Sequence, residues 1–397
     1  MLRIRRAATA MTDPQRIALV ATVRLVVVKV GTRVLTGADG LLDDRRIAAL
    51  GRQIDAVLAG GRQVVLVSSG AVGAGMGRMG LRDRPQELAA LQAVAAIGQS
   101  CLVEAYERAF RGHGRHAAQV LLVADDLQDR ARYLNIRNTL RALLDFGAVP
   151  VINENDTVSV EELRTSFGDN DRLAALVAAL LDADLLVLLS DVEGLFDRHP
   201  AEAGAAILRE VPRIDTAVEA LARDRPGGLS KGGMASKIAA ARIVTDAGGA
   251  CIIASGRDDE VLERIFRGAP VGTAFAAGGA TMPARKRWLA WSAEARGTVA
   301  VDEGARRAVV ADGRSLLAAG ITRLEGDFAA GDVVALVGPD GGVFARGLVN
   351  YPAAELRRIA GERTERIAEL LGSVPYEEVV HRDNLAIVRR DAATDAR

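Results

Sequence analysis

Lysine is nearly absent from this chain. Lys and Arg together number 51 of 397 residues, yet just four are lysines: Lys29, Lys231, Lys237 and Lys286. Where arginine is the default cation, a lysine marks a place that needs a compact ammonium rather than a planar fork. Cysteine is scarce too. Cys101 and Cys251 cannot build a disulfide framework, and as buried thiols they fit a reducing, cytoplasmic setting. Four histidines without ligand spacing argue against a structural zinc site. No uninterrupted apolar run approaches the ~20 residues of a membrane span. Charge of one sign is lacking as well: 51 basic residues balance 51 acidic ones. That balance exerts no general pull toward nucleic acid or membrane. Apolar residues make up 49% of the chain, ample for a large core. The length suits two domains. Residues 1–23 read as a loose tail, with Met11 a candidate start, and they lack the apolar stretch of a signal peptide.

The pattern then alternates. Strands are expected at 24–30, 64–67, 119–123, 149–152, 185–189 and 251–254. Helices are expected from Ile47 to Leu58 and over 86–111, 130–145, 171–182 and 234–247. Strands alternating with helices predict a mainly parallel α/β sheet covered on both faces, a three-layer sandwich, with ligands at the carboxyl ends of the strands. From Gly297 the pattern changes to short strand-like runs between glycine turns (TVAVDEG, ARRAVV, DVVALVGPDGG, VFARGLVNY). A small β-rich domain is expected over 296–371, after a first domain at 24–285, with 372–397 as an extension.

Five segments carry chemistry-bearing residues. In VVVKVGT, Lys29 interrupts a valine run just before Gly31; it either faces a phosphate at a strand end or snorkels to the rim. The SSGAVGAGMG segment, starting at Ser68, follows a strand. It reads as an anion nest of backbone N–H groups or as a plain turn, and it is neither a Walker A loop nor G-x-G-x-x-G. In PVINENDTV and FGDNDRL, Asn153, Asn155, Asp156, Asn170 and Asp171 gather after a strand and before a helix. Asparagine both donates and accepts, so it can hold the ammonium and carboxylate of an amino acid, while Asp169 could simply cap the helix. LLSDVEGLF ends a strand at Ser190 and Asp191, which suit a ribose, a metal or a capped turn. In GGLSKGGMASK, Lys231 and Lys237 flank Gly232, Gly233, Met234, Ala235 and Ser236. A lysine at a helix N-terminus is costly without an anion beside it.

Lysines on separate loops, glycine nests and strand-end acids suit phosphoryl transfer. A general base is missing, which is understandable if the nucleophile is a carboxylate already ionised at neutral pH.

VVVKVGT, VSSGAVGAG, VPVINENDTV, GDND, LLSDVEGLF and GGMASK, in this order, resemble the glutamate 5-kinases of the amino-acid kinase fold. The segment from Gly297 to Leu371 resembles a PUA domain. The resemblance implies a kinase that uses ATP and Mg2+ to phosphorylate L-glutamate at the start of proline biosynthesis. It implies that Lys29 and Lys237 contact the phosphates and that Asp171 orients both lysines. Ser69, Asp156, Asn170 and Asn153 would bind glutamate. Ser190, Asp191 and Lys231 to Lys237 would hold the nucleotide, with Mg2+ carried by ATP and no dedicated protein metal site. It also implies a homo-oligomer, feedback by proline and a reductase partner for the labile product. Kinases of the same fold that act on aspartate, acetylglutamate, carbamate or uridylate are the nearest rivals. An RNA-binding role is disfavoured, because residues 296–397 carry 14 arginines and 16 acids and lack a basic footprint.

Overall fold

The computed structural model describes residues 12–37, 39–158, 170–221, 233–278, 283–372 and 376–388. Lys231, Gly232 and Asp169 lie outside the described residues. The chain divides into two compact units, residues 1–126 with 131–281, and residues 127–130 with 282–397.

The first unit is built on an eight-stranded sheet in the order β3-β4-β2-β1-β5-β7-β8-β6. Its strands are β1 (Leu25–Val30), β2 (Gln63–Ser68), β3 (Ala117–Leu122), β4 (Val149–Glu154), β5 (Leu185–Ser190), β6 (Glu210–Val211), β7 (Ala250–Ser255) and β8 (Thr273–Phe275). Every pairing from β3 across to β7 is parallel, and only the β7–β8 pairing is antiparallel. The carboxyl ends of β4, β2, β1, β5 and β7 therefore share one edge.

β1 shows how sequence sets the layers. Side chains alternate along a strand. Val26, Val28 and Val30 join a core formed with the helices Asp44–Ala59, Leu88–Arg111 and Val261–Phe266. Val27 and Lys29 take the opposite face, where the helix Asn170–Leu181 packs on β1 and beside the helix Met234–Asp246. With helices on both faces the unit is a three-layer sandwich. Each fully buried valine of β1 stabilises it by about 1.5–3 kcal/mol.

Two local readings meet the structure differently. The glycine-rich segment after β2, read as an anion nest or a plain turn, is a tight turn: Gly70, at φ +103°, leads the chain straight into a helix, Ala71–Met79. Gly75 and Gly98 let this helix and Leu88–Arg111 touch backbone to backbone. A methyl group on Gly75 would stand 1.9 Å from the Val94 carbonyl oxygen, and one on Gly98 1.7 Å from that of Ala71. The tail expected over residues 1–23 is corrected from Asp13 onward, where the chain is ordered. Pro14–Ala21 is a helix capped by Asp13, with Val20 in the core. Its buried Arg16 donates to the carbonyls of Arg209 and Gly272. Burial lowers the Arg16 pKa to about 10.

The helix Leu88–Arg111 is long and apolar enough by length and composition to cross a membrane. Its Leu91, Val94, Ala95, Gly98, Leu102, Ala105, Tyr106 and Phe110 form a buried stripe at helical spacing, as in a core helix.

The second unit holds a five-stranded sheet in the order β10-β9-β11-β12-β13. Its strands are β9 (Gly297–Val301), β10 (Ile321–Gly326), β11 (Val333–Val337), β12 (Val343–Leu348) and β13 (Leu385–Ile387). The run ARRAVV, expected as strand-like, lies in a helix, Glu303–Val310, whose N-cap Asp302 accepts a hydrogen bond from Ala305 N. Val379, Val380 and Leu385 join this unit's core, so its packing extends past residue 371.

Candidate functional site

Lys29, Asp171 and Lys237 meet at the shared strand edge. Lys29 is the penultimate residue of β1, Asp171 lies at the start of its helix, and Lys237 is in the first turn of the helix Met234–Asp246. Lys29 Nζ stands 2.7 Å from Asp171 Oδ1, and Lys237 Nζ donates to Asp171 Oδ2 at 3.0 Å. The lysines are 6% and 5% exposed and the aspartate 0%, so one carboxylate bridges two ammonium groups away from bulk water. Buried charges are tolerable when paired. Here two cations face one carboxylate, one on each of its oxygens. Asp171 also supplies the anion that makes a lysine acceptable at a helix start. Gly31 has ordinary extended backbone, and a methyl group there would lie 3.7 Å from Lys29 Nζ.

Asn170, next to Asp171, serves the other flank. Its Nδ2 donates to the Ser68 carbonyl, to Ser69 Oγ and to Asn153 Oδ1, each at 2.9 Å. Asn153 Oδ1 also accepts from Glu154 N. Consecutive residues of one helix start thus reach two places, Asn170 the ends of β2 and β4, and Asp171 the lysines. The Asn170 Oδ1 acceptor is buried and has no hydrogen-bond partner. Asp156, also buried, accepts from Gln99 Nε2 at 3.3 Å. Asn155 does not join this cluster; its Oδ1 accepts from Thr157 Oγ1 at 2.6 Å within a turn.

On the β5 side, Ser190 Oγ donates to Asp191 Oδ1 at 3.1 Å, and Arg33 Nη1 pairs with Asp191 Oδ2 at 2.7 Å. Burial alone would raise the Asp191 pKa, but the hydrogen bonds from Arg33 and Ser190 outweigh it and hold the carboxyl below its usual range. Nearby, the helices Ala71–Met79 and Met234–Asp246 begin at Gly70 and Gly233 without a side-chain cap. Ser236 Oγ donates to the Gly233 carbonyl, leaving N–H groups of that first turn for a ligand. Uncapped helix N-termini attract phosphate and carboxylate. Among the described residues no group of three His, Cys, Asp or Glu could hold a metal ion.

Sequence reading missed three participants. Gln99 is a polar residue on the apolar stripe of a core helix, the one available signal. Arg33 looked like any surface arginine. Tyr106 lies buried, sharing a 2.8 Å hydrogen bond with Ser68 Oγ, and burial raises its pKa strongly.

A family model described as the amino acid kinase family matches residues 24–255, and one described as the PUA domain matches residues 297–371. The chain is 50% identical over 364 residues to the glutamate 5-kinase of Rhodopirellula baltica, covering 92% of this chain and 94% of that one. It is 51% identical over 366 residues to the glutamate 5-kinase of Myxococcus xanthus, covering 92% and 96%. To that of Moorella thermoacetica it is 47% identical over 379 residues, covering 95% and 100%.

Proposed function

The chain belongs to the amino acid kinase family, and from that membership and its glutamate 5-kinase relatives we propose that it phosphorylates L-glutamate in proline biosynthesis. The donor is ATP. An oxygen of the glutamate γ-carboxylate attacks the γ-phosphorus, the new C–O–P linkage forms as the bond to the β-phosphate oxygen breaks, and L-glutamyl 5-phosphate and ADP leave. The attacking carboxylate is ionised at neutral pH, so no residue need remove a proton.

The observation that carries this reading is the bridged, buried pair Lys29–Asp171–Lys237. Phosphoryl transfer asks the protein to position its reactants and to neutralise charge that spreads over the transferring group. Lys29 and Lys237 supply that neutralisation, and Asp171 keeps both aimed. Ser69, Asn153, Asp156 and Asn170 bind glutamate: their oxygens accept from its ammonium group, and the free helix start at Gly70 suits one of its carboxylates. Ser190, Asp191 and the segment from Lys231 through Gly232, Gly233, Met234, Ala235 and Ser236 to Lys237 hold the nucleotide. Mg2+ enters with ATP and supplies further charge neutralisation.

The product is an acyl phosphate prone to hydrolysis, which favours direct handover to a reductase. Feedback by proline, a homo-oligomeric state and a cytoplasmic setting complete the proposal, the last in keeping with two free thiols, Cys101 and Cys251. The test is ATP-dependent hydroxamate formation in hydroxylamine. The expected product comes from L-glutamate; hydroxamate from aspartate and none from glutamate would overturn the assignment.

A further inference from the structure

Resting on that reading, we propose that Gln99 is a positioning residue that makes the site selective for an acceptor carrying an α-ammonium group. Gln99 is buried. Its Nε2 donates to the Glu154 carbonyl at 3.2 Å and to Asp156 Oδ2 at 3.3 Å. Both neighbours are acceptors, so the amide can face them only with its nitrogen. Its Oε1 is thereby turned away from them, and that buried atom has no hydrogen-bond partner. Asn170 is in the same condition, its Nδ2 spent on three protein oxygens and its Oδ1 unpartnered. The amide donors beside Asp156, Asn153 and Ser69 are thus already engaged with protein oxygens, so what these side chains have left is acceptor capacity.

Buried polar atoms left unpaired are costly. An ammonium group carries three donors and no acceptor, so it is the part of an amino acid whose chemistry matches the Asp156 carboxylate. Gln99 acts on it through Asp156, whose carboxylate it holds in place. The fold goes out of its way to put the amide there. The glycine crossing of Gly75 and Gly98 draws the helix Leu88–Arg111 against the helix Ala71–Met79 at the residue just before Gln99. A glycine inside a helix is otherwise unfavourable.

The test compares the full-length enzyme with Gln99→Leu and Gln99→Glu, using L-glutamate and glutarate, its analogue without the amino group. Gln99→Leu is expected to raise the glutamate KM about tenfold, leave the KM for MgATP unchanged, and lower the preference for glutamate over glutarate by about the same factor. Gln99→Glu places a second carboxylate against Asp156. Like charge then raises the pKa of one of the two, so the glutamate KM should vary with pH more steeply than in the wild type. An unchanged preference in Gln99→Leu, equal losses on both acceptors, or a pH profile in Gln99→Glu no steeper than that of the wild type would overturn the inference. Should Gln99→Leu not fold, the pH profile of Gln99→Glu decides alone. A wild-type enzyme that phosphorylates neither acceptor would overturn the functional reading first, and this inference with it.

Discussion

Replacing Asp171 by asparagine keeps its shape and removes the negative charge it places between two buried ammonium groups. Lys29 and Lys237 lie 2.7 and 3.0 Å from its two oxygens. The lysine nitrogens are thus within about 8 Å of each other, and at an effective dielectric near 20 their repulsion is about 2 kcal/mol. Breaking a buried ion pair by removing one partner costs about 3–5 kcal/mol. For a unit of this size each kcal/mol lowers Tm by about 2–4 °C, so Asp171→Asn should melt roughly 6–20 °C below the wild type. MgATP brings a polyanion to the same lysines, so it should raise the Tm of the variant more than that of the wild type. Turnover should fall about 10²–10³-fold, the scale of losing one preorganised charge-stabilising group. Adding Lys237→Met to Asp171→Asn removes one of the repelling cations, so the double variant should melt less far below the wild type than the separate losses sum to. Thermal unfolding with and without MgATP, alongside the hydroxamate assay, reads all of this. A variant with wild-type Tm, wild-type response to MgATP and undiminished turnover would refute the claim that Asp171 holds the lysines.

Lys237→Ala should reduce kcat by about 10²–10³ with little change in glutamate KM, since its interaction grows as charge develops on the transferring group; steady-state kinetics in both substrates checks the split. Gly98→Ala should destabilise the protein by at least ~3 kcal/mol, because the added methyl meets the Ala71 carbonyl at 1.7 Å; chemical denaturation measures it. Cys251 is buried and its thiol pKa is pushed up by burial and then by the charge of Asp171. A thiolate-selective reagent should therefore leave Cys251 unmodified in the native enzyme and modify it in denaturant, as read by mass spectrometry of the peptides.

Much of the first unit was legible because its strands are doubly covered. A strand buried on both faces is a continuous apolar run, and VVVKV and LLVLL are hard to read otherwise. Lys29 was legible for the same reason, a charge where the pattern demands valine. The Ala71–Met79 helix was not. Three of its nine residues are glycine, a composition that propensity disfavours in a helix, and only the backbone contact with Leu88–Arg111 rewards it. The helix Glu303–Val310 misled in the opposite way, since ARRAVV carries β-branched residues but starts from a capping aspartate at 302. Gln99 left only a faint trace, a polar side chain within an apolar stripe, because its role depends on which strand end the helix crosses, and that is a fact of tertiary geometry. The lysine scarcity was informative at Lys29 and Lys237, which converge on one carboxylate. Lys286 sits in a short helix of the second unit.

The order β4-β2-β1-β5-β7 splits the edge into two territories. On one side of β1 lie Ser69, Asn153 and Asp156; on the other lie Ser190 and Asp191; Lys29 marks the frontier. On the proposed assignment, acceptor and donor approach from opposite sides and have only this central strand and its bridging helix in common. On that assignment, reshaping the segments that follow β2 and β4 would change which small acid is admitted without disturbing how the triphosphate is gripped. Such a scaffold can diversify its clientele while keeping its fuel.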